Sequence, residues 1–228
     1  VLLVLCLFIG GSLSLYAWRA SALKQGGLFA PISREGALVL NNLLLTTACT
    51  TVFVGTLYPL ALEVLTGDKI SVGAPFFNLT FGPLFVPLLV TVPFGPLLAW
   101  KRGDLLGAAQ RLTVAGVAGL LAVALLWAWV RGGSTFAPLV IGLAVFVIMG
   151  SLSNLAERAG LFRVPIETAI RRACGLPRSI WGTAFAHIGI GVALIGIVCE
   201  TTWNSEYIGS MKPNDVARID GYELKLDG

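Results

Sequence analysis

The sequence predicts an all-α polytopic membrane protein, with about six transmembrane helices followed by the start of a small extracytoplasmic β domain. Three observations carry that expectation. Of the 228 residues, 56% are hydrophobic and 12% are charged, where a soluble domain carries about 25% charged residues. The mean hydropathy of +0.85 demands more burial than one soluble core of this length provides. Six runs are also long enough to cross a bilayer core of about 30 Å, which takes roughly 20 apolar residues per helix.

Those runs fall at about 1–18, 37–57, 78–100, 112–130, 136–156 and 180–201, a bundle over 1–202. Val1 is not a methionine, and no basic region precedes its apolar run, as a signal peptide would require. The far end stops inside an alternating pattern, so both ends read as truncations. The basic residues alternate between loops. Arg19, Lys24 and Arg34 follow the first run, and Lys101, Arg102 and Arg111 follow the third. Arg158, Arg163, Arg171, Arg172 and Arg178 follow the fifth. The intervening loops hold only Lys69 and Arg131. Basic loops mark the cytoplasmic side, which makes the last run point outward and its tail extracytoplasmic. The net charge of +4 is thereby assigned to loops rather than to a nucleic-acid footprint.

Two runs carry further signals. Asn41, Asn42, Thr46, Thr47, Thr50 and Thr51 form a polar stripe on the second. It reads as interhelical hydrogen bonding, with a ligand-contacting face as the alternative. Pro83, Pro87, Pro93 and Pro96 fall in the third, which predicts a kinked, packed helix and admits a gate. Residues 203–228 differ in kind: charge density rises from Met211. The strict alternation from Tyr222 to Leu226 reads as a strand. The four cysteines, Cys6, Cys49, Cys174 and Cys199, have no metal-ligand or redox spacing.

His187 is the one histidine of the chain. It lies about three residues from the midpoint of the last run, roughly 4–5 Å from the centre of the span. An ionisable group at that depth is a functional-site candidate. Its helix is rich in small residues: Gly182, Ala184, Ala186, Gly189, Gly191, Ala193 and Gly196. Two readings stand side by side. The imidazole hydrogen-bonds to a threonine or carbonyl of the next helix, or it coordinates the iron of a haem lying against the bundle. No nucleophile elbow, phosphate loop or metal cluster is present.

Several separated stretches point to a family. They are Ile9-Gly10-Gly11-Ser12-Leu13, Glu35 with Asn41-Asn42-Leu43-Leu44-Leu45, and Gly55-Thr56-Leu57-Tyr58-Pro59-Leu60. Ile70-Ser71-Val72-Gly73-Ala74-Pro75-Phe76-Phe77-Asn78, Ala186-His187-Ile188-Gly189 and Met211-Lys212 continue the series. On these, nearly the whole chain resembles the C-terminal half of the CcmF/NrfE haem lyase family of bacterial cytochrome c maturation. The resemblance implies an inner-membrane protein with a periplasmic tail. It would receive haem from the chaperone CcmE, work with CcmH/CcmI-type subunits and mediate covalent attachment of haem to apocytochrome c. It also implies a b haem in the membrane with His187 as one axial ligand to the haem iron; helical spacing, one turn to either side of His187, would then put Thr183 and Gly191 close to the porphyrin. The second ligand histidine and the tryptophan-rich haem-delivery segment of the family would precede Val1, so this chain by itself is not expected to be an active lyase. A transporter or permease is the main competing class. A quinone-binding or proton-translocating subunit is a third, weakened because Glu63, Glu157 and Glu200 sit only near the ends of runs.

Overall fold

The computed structural model describes residues 2–22, 27–130, 136–204, 209–212, 216–219 and 221–226. Val1, Lys24 and Arg131 lie outside them, as do Pro213, Asn214, Asp215, Asp220, Asp227 and Gly228 of the tail. Eight α-helices are described: α1 (Leu2–Arg19), α2 (Arg34–Thr66), α3 (Ala74–Thr91), α4 (Leu105–Arg111), α5 (Thr113–Trp129), α6 (Phe136–Ala159), α7 (Ile166–Cys174) and α8 (Arg178–Trp203). An antiparallel hairpin, β1 (Val216–Ile219) and β2 (Tyr222–Lys225), closes the chain with Val216 opposite Lys225. Its turn uses Gly221 at φ 85°, where a side chain would be strained. The strand expected over 222–226 is thus the second arm of this hairpin.

Four helices are long and apolar enough to cross a membrane, and five spans result if the bent pair α4–α5 is one of them. Six were expected. The remaining run forms α1, an 18-residue helix at the edge of the described residues. The chain is a multi-pass membrane protein. Its outer faces fit lipid rather than water: Leu79, Leu106 and Leu120 are each more than 70% exposed, a density of bare apolar surface that soluble monomers avoid.

Boundaries differ from the hydropathy reading where backbone chemistry overrides it. The second run was expected to stop at Tyr58-Pro59, yet α2 continues through Pro59 to Thr66. A single proline removes one ladder hydrogen bond, and α2 ends instead where Gly67 turns left-handed at φ 79° and donates its N–H to Glu63 O. The third run behaves in the opposite way. Its helix keeps Pro83 and Pro87 but ends at Thr91, and Pro93 and Pro96 fall in a turn and a 3-10 turn at Gly95–Leu97. The fourth run, expected over 112–130, starts at Leu105 and bends by 57° between α4 and α5. Inside the basic loop 157–179 lies α7, which hydropathy does not mark because its apolar face is only Ile166, Ala169, Ile170 and Ala173.

Packing centres on α6, which lies between α5 and α8 and touches α3. Small residues set the closest approaches, as expected between membrane helices. A Cβ on Gly119 would fall 2.8 Å from Gly142 O, and one on Gly150 would fall 2.7 Å from Pro93 Cβ. Among the described residues the threonines of the stripe do not bridge helices. Thr47, Thr50 and Thr51 donate to Leu43 O, Thr46 O and Thr47 O of α2 itself, since the nearest unshared lone pair lies one turn back.

One end of the molecule is laced by backbone hydrogen bonds. Ala30 N–H donates to Lys101 O at 2.8 Å, Arg34 N–H to Ala99 O at 3.0 Å, and Gly103 N–H to Ile32 O at 2.8 Å. Lys101 N–H donates to Glu35 Oε2 at 2.8 Å. Two of the basic loops are therefore tied side by side, and the Arg111–Glu157 pair at 3.5 Å joins the third. Ser33 is fully buried in this lacing and accepts the Gly36 N–H at 3.0 Å as the N-cap of α2. Ser33→Ala removes the cap and is expected to destabilise the purified protein by about 1 kcal/mol, read as a lowered thermal midpoint. Ser33→Asp or Ser33→Asn should recover part of the loss.

Candidate functional site

The site is built where α8 leaves α6 and faces α2. Along α8, Ala184, Gly191 and Val198 are buried. These three, seven residues apart, form the seam against α6. His187 sits beside that seam, half-buried, and turned toward the gap between α8 and the start of α2. Two adjoining clefts meet at its ring. One of about 150 Å³ runs along α6 and is lined by Ser151, Asn154, Arg158, Thr183 and His187. The other, about 330 Å³, opens toward α2 and is lined by Ala37, Asn41, Gly95, Thr183 and His187. Arg34 and Pro96 belong to both. The break in the third run thus has a use: the prolines that end α3 make the floor of the cleft.

The hydrogen bonding of this site bears on the two readings of an intramembrane histidine. Among the described residues the His187 ring makes no hydrogen bond. The hydroxyls nearest in the cleft are committed to their own helices: Thr183 Oγ1 donates to Ser179 O at 2.9 Å, and Ser151 Oγ to Val147 O at 2.9 Å. Each keeps lone pairs that can still accept. Asn41 Nδ2 donates to Asn42 Oδ1 at 3.3 Å, and Asn41 alone of the pair lines the cleft.

Of the two expected neighbours, Thr183 shares both clefts with His187, while Gly191 lines neither and lies in the α6–α8 seam. A Cβ there would fall 2.5 Å from Ile148 Cγ1 and 3.0 Å from Ala144 O. The other small residues also divide by face. Gly182, Gly189 and Gly196 meet nothing within 4 Å. At about 100° per residue they lie on the far side of α8 from His187. The space beside the imidazole comes from the gap between helices, not from the small residues of its own helix. Arg34, Asn154, Arg158 and Pro96 were not singled out as site residues. Only the arrangement of α2, the Gly95–Leu97 turn, α6 and α8 around one gap brings them together.

Among the described residues no group of three His, Cys, Asp or Glu could hold a metal ion, so the site offers one side-chain nitrogen ligand. That donor set fits a macrocycle that fills its own equatorial positions, as haem does. It does not fit a bare ion, which needs several protein ligands.

The sequence of this multi-pass membrane protein matches a known class of biogenesis proteins. Over all 228 residues the chain is 72% identical to "Cytochrome c-type biogenesis protein CycK" of Bradyrhizobium diazoefficiens and 60% identical to the protein of the same name from Rhizobium meliloti. It is 34% identical over 224 residues to "Cytochrome c-type biogenesis protein CcmF" of Escherichia coli. The chain belongs to the CcmF/CycK family of cytochrome c-type biogenesis proteins and matches their C-terminal region. It spans about a third of the length of these relatives, 34% of each CycK protein and 33% of the Escherichia coli protein. No family model and no solved structure matches it.

Proposed function

We propose that this chain is the haem-holding membrane part of a cytochrome c haem lyase subunit, with His187 as an axial ligand of a b haem. In this reading the protein sits in the bacterial inner membrane with its tail periplasmic. It receives haem from the chaperone CcmE, acts beside CcmH/CcmI-type subunits and passes haem to apocytochrome c. The observation that carries the reading is the His187 ring: half-buried in an apolar helix long enough to cross a membrane, bordering two clefts, and without a hydrogen bond to any described residue. A structural histidine would have its ring nitrogens satisfied, because an unpaired polar group in hydrocarbon is costly.

The residues of this chain hold and orient. His187 supplies a neutral nitrogen to the iron, and its other ring nitrogen needs an acceptor. Thr183 Oγ1 is suited to that role because its own proton is already donated to Ser179 O. The α6 seam fixes the rotation of α8, and so the direction of the imidazole. A bound haem would supply a one-electron couple, through which delivered haem iron is kept reduced for attachment.

Absorption spectroscopy of the complete gene product, purified in detergent, tests this reading. Dithionite reduction is expected to give a b-type spectrum, with pyridine haemochrome analysis near one haem b per chain. A colourless protein would favour a transporter instead, with the threonine-lined cleft of about 490 Å³ between α2 and α3 as its path.

A further inference from the structure

Two arginines border the His187 cleft at its basic end, and neither is neutralised. Arg34 and Arg158 both line the 150 Å³ cleft, one from the first residue of α2 and one from the last turn of α6. Each is followed or preceded in sequence by a glutamate that serves elsewhere. Glu35 accepts the Lys101 N–H at 2.8 Å, and Glu157 pairs with Arg111 at 3.5 Å. The partners of the two guanidinium groups are neutral. Arg34 stacks over Trp100 at 5.0 Å from the ring centroid. Arg158 donates from Nε to Asn154 Oδ1 at 2.7 Å and from a terminal nitrogen to Pro96 O at 3.5 Å. Among the described residues no carboxylate lies within ion-pair distance of either arginine.

Two cations that border one cleft, each contacted by neutral groups, suit a paired anion. Guanidinium is suited to carboxylates because its planar fork matches their two oxygens. Along α8, Thr183 and Ser179 are one and two turns from His187 toward this end, and both line the same cleft. A ligand attached at His187 and running down the cleft would carry its far edge to the arginines.

We propose that Arg34 and Arg158 bind the two propionate carboxylates of the haem held by His187, and so set its orientation with the acidic edge toward the basic loops. This rests on the haem reading given above. Anionic phospholipid headgroups share the chemistry, and the experiment separates the two sources.

The complete gene product, freed of haem, is titrated with haem and with haem dimethyl ester, whose propionates carry no charge, while the low-spin absorption band is followed. The wild-type protein is expected to bind haem at least tenfold more tightly than the ester. R34Q/R158Q should lose at least tenfold in affinity for haem while binding the ester as the wild type does, which also reports an intact fold. R34K/R158K should recover part of the preference, and the midpoint potential of R34Q/R158Q should shift from that of the wild type. Equal binding of haem and ester by the wild type overturns the proposal even if the glutamine variant does not fold. A preference kept in full by R34Q/R158Q overturns it too. So does a loss of co-purified anionic phospholipid in R34Q/R158Q with the ester preference unchanged, which assigns the arginines to headgroup phosphates. If neither porphyrin gives a low-spin band, the haem reading itself falls, and this proposal with it.

Discussion

His187→Gly in the complete gene product is expected to lower the retained haem b at least tenfold, and to leave whatever remains high-spin. Removal of an axial ligand costs affinity for the iron directly, and a tenfold loss corresponds to about 1.4 kcal/mol. The variant should still fold. The imidazole makes no hydrogen bond to any described residue, so no buried partner is orphaned. The remaining cost is that of glycine inside a helix, about 1 kcal/mol relative to alanine. His187→Ala avoids even that, and should match the glycine variant in haem loss with a higher thermal midpoint. Imidazole added at millimolar concentration should restore a low-spin spectrum in the glycine variant, since the space left by the ring accepts the free base. A spectrum and haem content equal to those of the wild type would sink the ligand assignment.

Gly191→Leu should damage the same site from a distance. The first added carbon alone falls 2.5 Å from Ile148 Cγ1 and 3.0 Å from Ala144 O, and neither neighbour can yield easily. Ala144 is fully buried within α6 and its backbone carbonyl cannot rotate away, while the Ile148 contact is at Cγ1, near the root of its side chain. Overpacking a tight interior typically costs about 1–3 kcal/mol, and a leucine at a helix crossing belongs at or above the top of that range. The expected readout is a strong fall in yield or thermal midpoint, with haem lost in parallel because α8 no longer holds His187 in register. Gly189→Ala is the control. It lies two residues away, and a Cβ there meets nothing within 4 Å. Replacing a helical glycine by alanine at such a position is expected to be neutral or stabilising by up to about 1 kcal/mol. Equal effects of the two substitutions would contradict the seam described between α6 and α8.

The two variants also separate the features that hydropathy reveals from those that only packing creates. Membrane helices are legible because an unbroken run of about twenty apolar residues suits the bilayer core and little else, and α2, α6 and α8 lie where hydropathy puts them. Helix ends are less legible, since they follow single backbone events. Pro59 is passed over and Pro93 is not, although the two look alike in sequence. His187 is conspicuous as an ionisable group deep in an apolar run. Its cleft was not foreseeable in the same way. Arg34 and Arg158 look like ordinary loop cations until α2, α6 and α8 are seen to border one cleft. The small residues of α8 look equivalent in sequence, yet Gly191 packs on α6 and Gly189 faces away.

The lacing between residues 30–34 and 99–103 has a mechanical consequence. The 33 residues of α2 rise about 50 Å, and the fastening grips only the end that begins at Arg34. Such a rod behaves as a lever with its pivot at the basic face. Asn41 stands seven positions from the pivot, about 10 Å, whereas Thr66 stands at the tip. A tilt of about 5° would carry the tip roughly 4 Å but move the cleft wall at Asn41 by less than about 1 Å, by the same rise per residue. Gly55, in the far half of α2, packs on Phe76 and Phe77 at the start of α3, so such a tilt carries α3 with it while the wall facing His187 stays nearly still.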